Sequence, residues 1–446
     1  MRRAGSWTVA VVVALVLLRV IVVVVALDSR ATSAGPRITR RTSHATRDHA
    51  TVLPGDVRRY HRIATRKGVP YRDFEVEYPP LTLAAIEALN GHNVRESTVN
   101  LMWSQLVLDV AIAAIVGWAW GRRALVAYLV LGLAFLWYPF LYLRLDLLSV
   151  LLAVSALALV KKRHSIAGGA GLAVACFAKL WPFVLAPRLL AKGQRAGLAA
   201  FAFVGAAGLA LWVGLTGTGG PEQVLTFRGA DGWQIESTIG SMVHSFGSAP
   251  ARIEQGAMRA GIVPDFARLG LPVLGLVLVG MVWWLAVRSR STEDRVLDGL
   301  APLGAVTALL VTATILSPQY VSWLLPFAAI AWAGGERAVT WLTAGAAFLS
   351  TLGLDLVKEL NGGQPFPAVV VLVRNGVLLA LLAVVIARIV EIGRARSRPS
   401  VRWEAPADRR EPPAALRRPE PVPATITARS LGPNGGLLAA RRDRRS

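Results

Sequence analysis

The chain has 446 residues, of which 54% are hydrophobic and only 17% charged, and its mean hydropathy is +0.50. Apolar residues gathered in blocks near bilayer length exclude an ordinary soluble domain and predict an all-α polytopic membrane protein. The formal net charge of +22 is concentrated in short basic loops, the first long loop and the C-terminal tail. That distribution suits anionic lipid head groups and orientation signals rather than nucleic acid, which is not an expected partner.

Taken in chain order, the first block, 7–27, is about 20 residues long, too long for a signal-peptide core, and reads as a retained span. Arg19 inside it lies too deep to snorkel and is expected to face the protein interior. Residues 28–80 form a polar, arginine-rich loop, followed by a short apolar helix over 81–90. Further crossings are expected at about 101–120, 124–141, 146–160, 196–216, 268–287, 298–316, 320–334, 338–353 and 366–390. The stretch 166–191 would be roughly 39 Å long as straight helix, too short for two full crossings. Broken by Lys179, Pro182 and Pro187, with basic residues at both ends, it reads as a pair of short helices that enters and returns.

With the N-terminus inside, the basic loops at Arg122-Arg123, 161–164, 192–195 and 288–290 and the tail after Arg388 all fall in the cytoplasm. The loops 28–80 and 218–266 then lie outside, and the arginines of the first would meet an anionic lipid phosphate at the outer leaflet. The expected organisation is a membrane domain over 1–392 and a disordered basic cytoplasmic tail over 393–446, where Arg, Pro, Ala and Glu show no apolar periodicity. Gly217 and Gly219 follow a span into an external loop, with no strand before and no helix after, and read as loop chemistry rather than a nucleotide fingerprint. The lone Cys176 allows no internal disulfide, and the six histidines show no i,i+4 pairing. Neither a metal nor a cofactor is expected.

The densest chemistry lies in the first external loop. Asp56 and Tyr60 share a helical face, so Asp56 is either a general base toward a hydroxyl or a helix N-cap. The run Tyr71-Arg72-Asp73-Phe74-Glu75-Val76-Glu77-Tyr78-Pro79-Pro80 adds three carboxylates at the membrane boundary, and its prolines suit the start of the helix at Leu81. Asp73 and Glu77 are alternative bases; Tyr60, Arg72 and Tyr78 are candidate substrate contacts. Arg144 and Asp146, at the external mouth of two spans, form either a structural ion pair or a phosphate fork. Lys179, at the break of the short helix pair, requires an anion, from the protein or the substrate. The second loop offers Trp233, Gln234 and Glu236 for sugar recognition, then His244; Gln319 and Tyr320 lie in a Pro-broken external turn.

In this order, Asp56-x-x-x-Tyr60, Tyr71-Arg72-Asp73-Phe74 with Glu77-Tyr78-Pro79-Pro80, Arg144-x-Asp146, Lys179-Leu-Trp-Pro182, Trp233-Gln-Ile-Glu-Ser237 and Ser317-Pro-Gln-Tyr320 resemble the integral-membrane glycosyltransferases of family 87. The resemblance is to actinobacterial polyprenyl-phosphate-mannose-dependent alpha-mannosyltransferases and covers about residues 1–392. It implies a GT-C-like bundle of about 10–12 transmembrane or re-entrant helices in the plasma membrane, with an external active site. It further implies a polyprenyl-phosphate sugar donor, a lipid or glycan acceptor, and inverting single displacement with Asp56 as base. Arg144, Lys179 and His244 would then hold the phosphate, while Trp233, Gln234, Glu236 and Gln319 contact sugar or acceptor. The alternatives are a transporter or flippase of lipid-linked glycans, which predicts a repeat symmetry that the two halves do not show, and a non-catalytic partner in an envelope complex.

Overall fold

A computed structural model of the chain describes residues 2–32, 55–136, 139–226, 229–247, 250–289, 294–356, 360 and 365–397. The tail expected over 393–446 and the arginines of the first loop before Gly55 therefore fall largely outside the described residues. The described part belongs to one compact unit ending at Arg398.

The protein is an all-α polytopic membrane protein with one small sheet. Helices α1 (Arg2–Thr32), α4 (Val94–Trp120), α8 (Arg195–Thr216), α11 (Asp265–Arg288), α12 (Ala301–Thr312, preceded by a π-turn Arg295–Leu300) and α15 (Pro365–Ser397) are long and apolar enough to cross a membrane. The other apolar blocks fold as shorter pieces. The block 124–141 becomes α5 (Arg122–Leu131) and two 3-10 turns, the second beginning at Pro139. The block 146–160 becomes α6 (Asp146–Lys161). The block 320–334 becomes a 3-10 turn, Pro318–Leu324, and α13 (Leu325–Ala333), followed by α14 (Arg337–Asp355). Pro139, Pro318 and Pro326 sit at three of these breaks, because proline removes a helical N–H and its ring clashes with the preceding turn; Gly335, with φ +94°, turns the chain between α13 and α14. Such broken backbone survives at membrane depth because it is buried in protein, as α12 and α13 are almost throughout.

The stretch 166–191 folds as two short pieces, α7 (Ser165–Ala178) and a 3-10 segment, Trp181–Leu190, with the break at Lys179. Helix α7 lies hard against α8 because Gly169 and Gly197 are bare: a Cβ on either would overlap backbone of the other helix. Small residues permit this close approach where no hydrophobic effect drives helices together. A reversal at Gly121, with φ +92°, joins α4 to α5.

Arg19 is fully buried, as its depth in α1 requires. Its Nε donates to Asp109 Oδ2 of α4 at 2.8 Å and its Nη2 to the Leu129 carbonyl at 2.7 Å, while Tyr128 and Tyr142 donate to the same carboxylate. A second buried network lies at the other end of the bundle, where Arg188 and Trp120 both reach Asp298, at 2.8 and 3.1 Å.

The loop 218–266 is more structured than its sequence suggests. Gly219 begins a seven-residue helix, α9 (Gly219–Leu225), so the expectation of no helix after the Gly-x-Gly is corrected. Three strands, β1 (Trp233–Gln234), β2 (Ala251–Glu254) and β3 (Ala257–Ala260), form an antiparallel sheet in the order β1-β3-β2. Helix α10 (Thr238–Phe246), capped by the Ser237 hydroxyl accepting from Gly240 N, packs on α15.

Candidate active site

The first loop folds as α2 (Gly55–Thr65), a turn, and α3 (Pro80–Ala88), whose first turn holds the double proline. Asp56, in the first turn of α2, forms an ion pair with Arg144. Four residues on, Tyr60 is buried edge-on to Tyr78, with ring centroids 5.7 Å apart. Burial, with Asp146 adding to it, pushes the Tyr60 phenol up, so it stays protonated.

Arg144 and Asp146 do not pair with each other. Arg144 turns to Asp56 and lies over the Phe140 ring, 4.3 Å from its centroid. Asp146, buried at the start of α6, accepts from Lys179 Nζ at 2.6 Å and from Trp323 Nε1 at 2.8 Å. The Lys179 ammonium also sits over the rings of Tyr320 and Trp323, at 4.5 and 5.0 Å, and those rings stack at 4.3 Å. Trp323 stacks in turn on Trp181. The hinge of the short helix pair is thus held by an ion pair set against an aromatic wall.

Glu77 pairs with Arg59 at 2.5 Å, next to Tyr78. Asp73 belongs elsewhere: its Oδ2 accepts from Val69 N at 2.7 Å to close a turn, and it pairs with the exposed Arg72 at 3.5 Å. The Val69 amide, then Arg72, hold the Asp73 carboxyl below its ordinary value.

Of the second-loop candidates, Trp233 is buried against Val263 and Ala267 and offers no free face for stacking on a sugar. Gln234 ties the loops together, accepting from Leu316 N at 2.7 Å and donating to Ser317 at 3.4 Å. His244, on α10, lies against the Leu360 carbonyl at 3.3 Å. Glu236 lies within electrostatic reach of Arg144 and of Arg374 from α15; burial raises its carboxyl against the pull of both. Gln319 is buried two residues beyond Ser317, and Tyr320 faces Lys179, Asp146 and Arg144.

The fold therefore gathers Asp56, Tyr60, Arg144, Asp146, Lys179, Glu236, Gln319 and Tyr320 at one end of the bundle, drawn from five separate stretches of chain. Asp73 and Arg72 serve a turn, Trp233 is packed in a small apolar cluster, and His244 meets the Leu360 carbonyl. Two residues escaped sequence reasoning. Arg59 sits on a strongly basic helix, which hides it. Arg374 interrupts an apolar block, the same signal that marks Arg19.

A family model described as glycosyltransferase family 87 matches residues 77–318, more than half of the chain. The chain belongs to glycosyltransferase family 87. It is accordingly a membrane glycosyltransferase. No curated protein matches the chain. The family match spans Arg144, Asp146, Lys179 and Glu236 but stops short of Asp56 on one side and of Gln319, Tyr320 and Arg374 on the other.

Proposed function

We propose that this family 87 enzyme is a hexosyltransferase that moves mannose from a polyprenyl-phosphate donor to an envelope glycolipid or glycan. The site faces the outside of the plasma membrane and the C-terminal tail lies in the cytoplasm. The donor phosphate binds Arg144 and Lys179, and the acceptor hydroxyl gives its proton to Asp56. The acceptor oxygen attacks the anomeric carbon as the bond to phosphate breaks, inverting the linkage and releasing polyprenyl phosphate. Arg144 is held by Asp56. A phosphate that takes Arg144 leaves the carboxylate free to accept a proton.

The observation that carries this reading is the juxtaposition, in a family 87 chain, of the Asp56–Arg144 pair with the Asp146–Lys179 pair. A base beside a cation suits a reaction in which proton acceptance and departure of an anion occur together. The buried Tyr60 lies four residues from Asp56, and the Tyr320 ring lies 4.5 Å from the Lys179 ammonium.

The test uses purified full-length protein in lipid, labelled polyprenyl-phosphate-mannose and an envelope-lipid extract. Wild type is expected to yield a new labelled product. Asp56→Asn should reduce turnover about 100- to 10,000-fold, the usual worth of a general base, while still binding donor. Full turnover by Asp56→Asn would move the base to Glu77. Transfer by wild type only from a different lipid-phosphate sugar would correct the sugar and leave the mechanism standing.

A further inference from the structure

Three buried polar atoms at the site have no hydrogen-bond partner among the described residues: Oε1 of Glu236, Oε1 of Gln319 and Nε of Arg144. Leaving such groups unsatisfied is costly, so each asks for a ligand group or a water. Two are acceptors, which require O–H or N–H donors. The third is a cationic donor, which suits an anionic oxygen. A polyhydroxylated ring joined to a phosphate supplies both kinds at once.

The placement of Glu236 has its own support. Arg374 and Asn375 interrupt the apolar run of α15, and both are almost fully buried. Arg374 Nη2 donates to the Glu236 backbone carbonyl. Asn375 Nδ2 donates to the same carbonyl at 3.3 Å, to Ser237 O at 3.2 Å and to Ser241 Oγ at 2.9 Å. An arginine and an asparagine inside a spanning helix are expensive, and here both are directed at the backbone of Glu236, with Asn375 also reaching Ser237 and Ser241. Gln234 Nε2 reaches the other carboxylate oxygen, Oε2, at 3.3 Å, which leaves Oε1 for an incoming group.

We infer that Glu236 is the residue that recognises a hydroxyl of the donor sugar, and that Arg374 is a positioning residue that holds Glu236 for this task. The last spanning helix, which lies outside the matched family segment, thereby determines which sugar the site accepts. This rests on the polyprenyl-phosphate donor proposed above. A hydroxyl bound to a buried carboxylate discriminates strongly, because a donor lacking it leaves the acceptor unpaired.

The test compares the affinity of full-length protein for polyprenyl-phosphate-mannose with its affinity for polyprenyl monophosphate, which carries no sugar. Wild type should prefer the sugar-bearing lipid by about 10- to 100-fold, the range of one or two hydrogen bonds to charged or buried partners. In Glu236→Ala and in Arg374→Gln that preference should collapse while affinity for polyprenyl monophosphate stays within about threefold. The double variant should be no worse than Glu236→Ala, because both changes act on one contact. Arg374→Lys should recover part of the preference. An unchanged preference in Glu236→Ala overturns the inference and leaves the donor reading standing. Equal losses for both lipids in Arg374→Gln would reduce Arg374 to a structural role and overturn its positioning part. Binding of neither lipid by folded wild type would overturn the donor reading itself.

Discussion

Asp73 and Asp56 are both aspartates of the first loop, and sequence alone offered each as a base. Their surroundings separate them. Asp56 meets the guanidinium of Arg144 at the mouth of the bundle, whereas Asp73 is exposed and bonded to the Val69 amide. Asp73→Asn is therefore expected to leave transfer within about threefold, well inside the loss expected of a base, and to lower the melting temperature slightly. Its pH dependence follows from the direction of its shift. A carboxyl held below its ordinary value contributes stability above the unfolded value, 3.8 for this group, and loses that contribution as pH falls through the folded value. The melting difference between wild type and Asp73→Asn should thus persist from neutral pH to about pH 4 and shrink below it. A difference that vanished already near neutral pH would contradict the assignment. That Asp73 lies in a turn was not legible in the sequence, because an acid two residues after a tyrosine with positive φ looks no different in a string from an acid in a cleft.

Among the elements, α1 depends most on one contact. Its outward surface is broadly exposed to the bilayer side, and its deepest attachment is Arg19 against Asp109, Tyr128 and Tyr142. Gly132 leaves room for the guanidinium, since a Cβ there would run into it. Arg19→Leu should strand the Asp109 carboxylate and cost about 3–5 kcal/mol, whereas Arg19→Leu with Asp109→Leu should recover most of it, because the desolvation of both charges disappears together. Thermal melts in detergent would check this, and a double variant no better than the single would count against it. Sequence placed Arg19 inward by its depth alone. It did not name Asp109, 90 positions away, because nothing local to α1 encodes the facing helix. At the same scale, Gly169→Val should separate α7 from α8 and shift the Lys179 hinge, giving a loss of transfer larger than its loss of stability predicts. Proportionate losses would argue that the hinge does not depend on that contact.

For the whole molecule, the charges divide between two ends. The site end carries the Asp56–Arg144, Asp146–Lys179 and Glu77–Arg59 pairs, and the opposite end carries Arg188–Asp298 with Glu336 between Arg295 and Arg388. The proposed orientation puts the first end outside. In a Cys176→Ser background, a membrane-impermeant thiol reagent on intact cells should label Thr226→Cys, beside α9 at the site end, and spare Lys192→Cys until the membrane is opened. The reverse pattern would place the site inside. Sequence by itself determined the membrane class, the broken helix pair hinged at Lys179, the buried Arg19 and the stretches from which the site is built. These depend on hydrophobic block length, on proline and on the cost of burying charge, all of which act locally along the chain. Tertiary structure alone decided the pairings: that Arg144 turns to Asp56 while Asp146 takes Lys179, that Trp233 is spent on packing, and that Arg374 reaches Glu236 from 138 positions away. Charge pairing in a low-dielectric interior is set by which helices happen to face one another, and that geometry emerges only when the whole bundle closes.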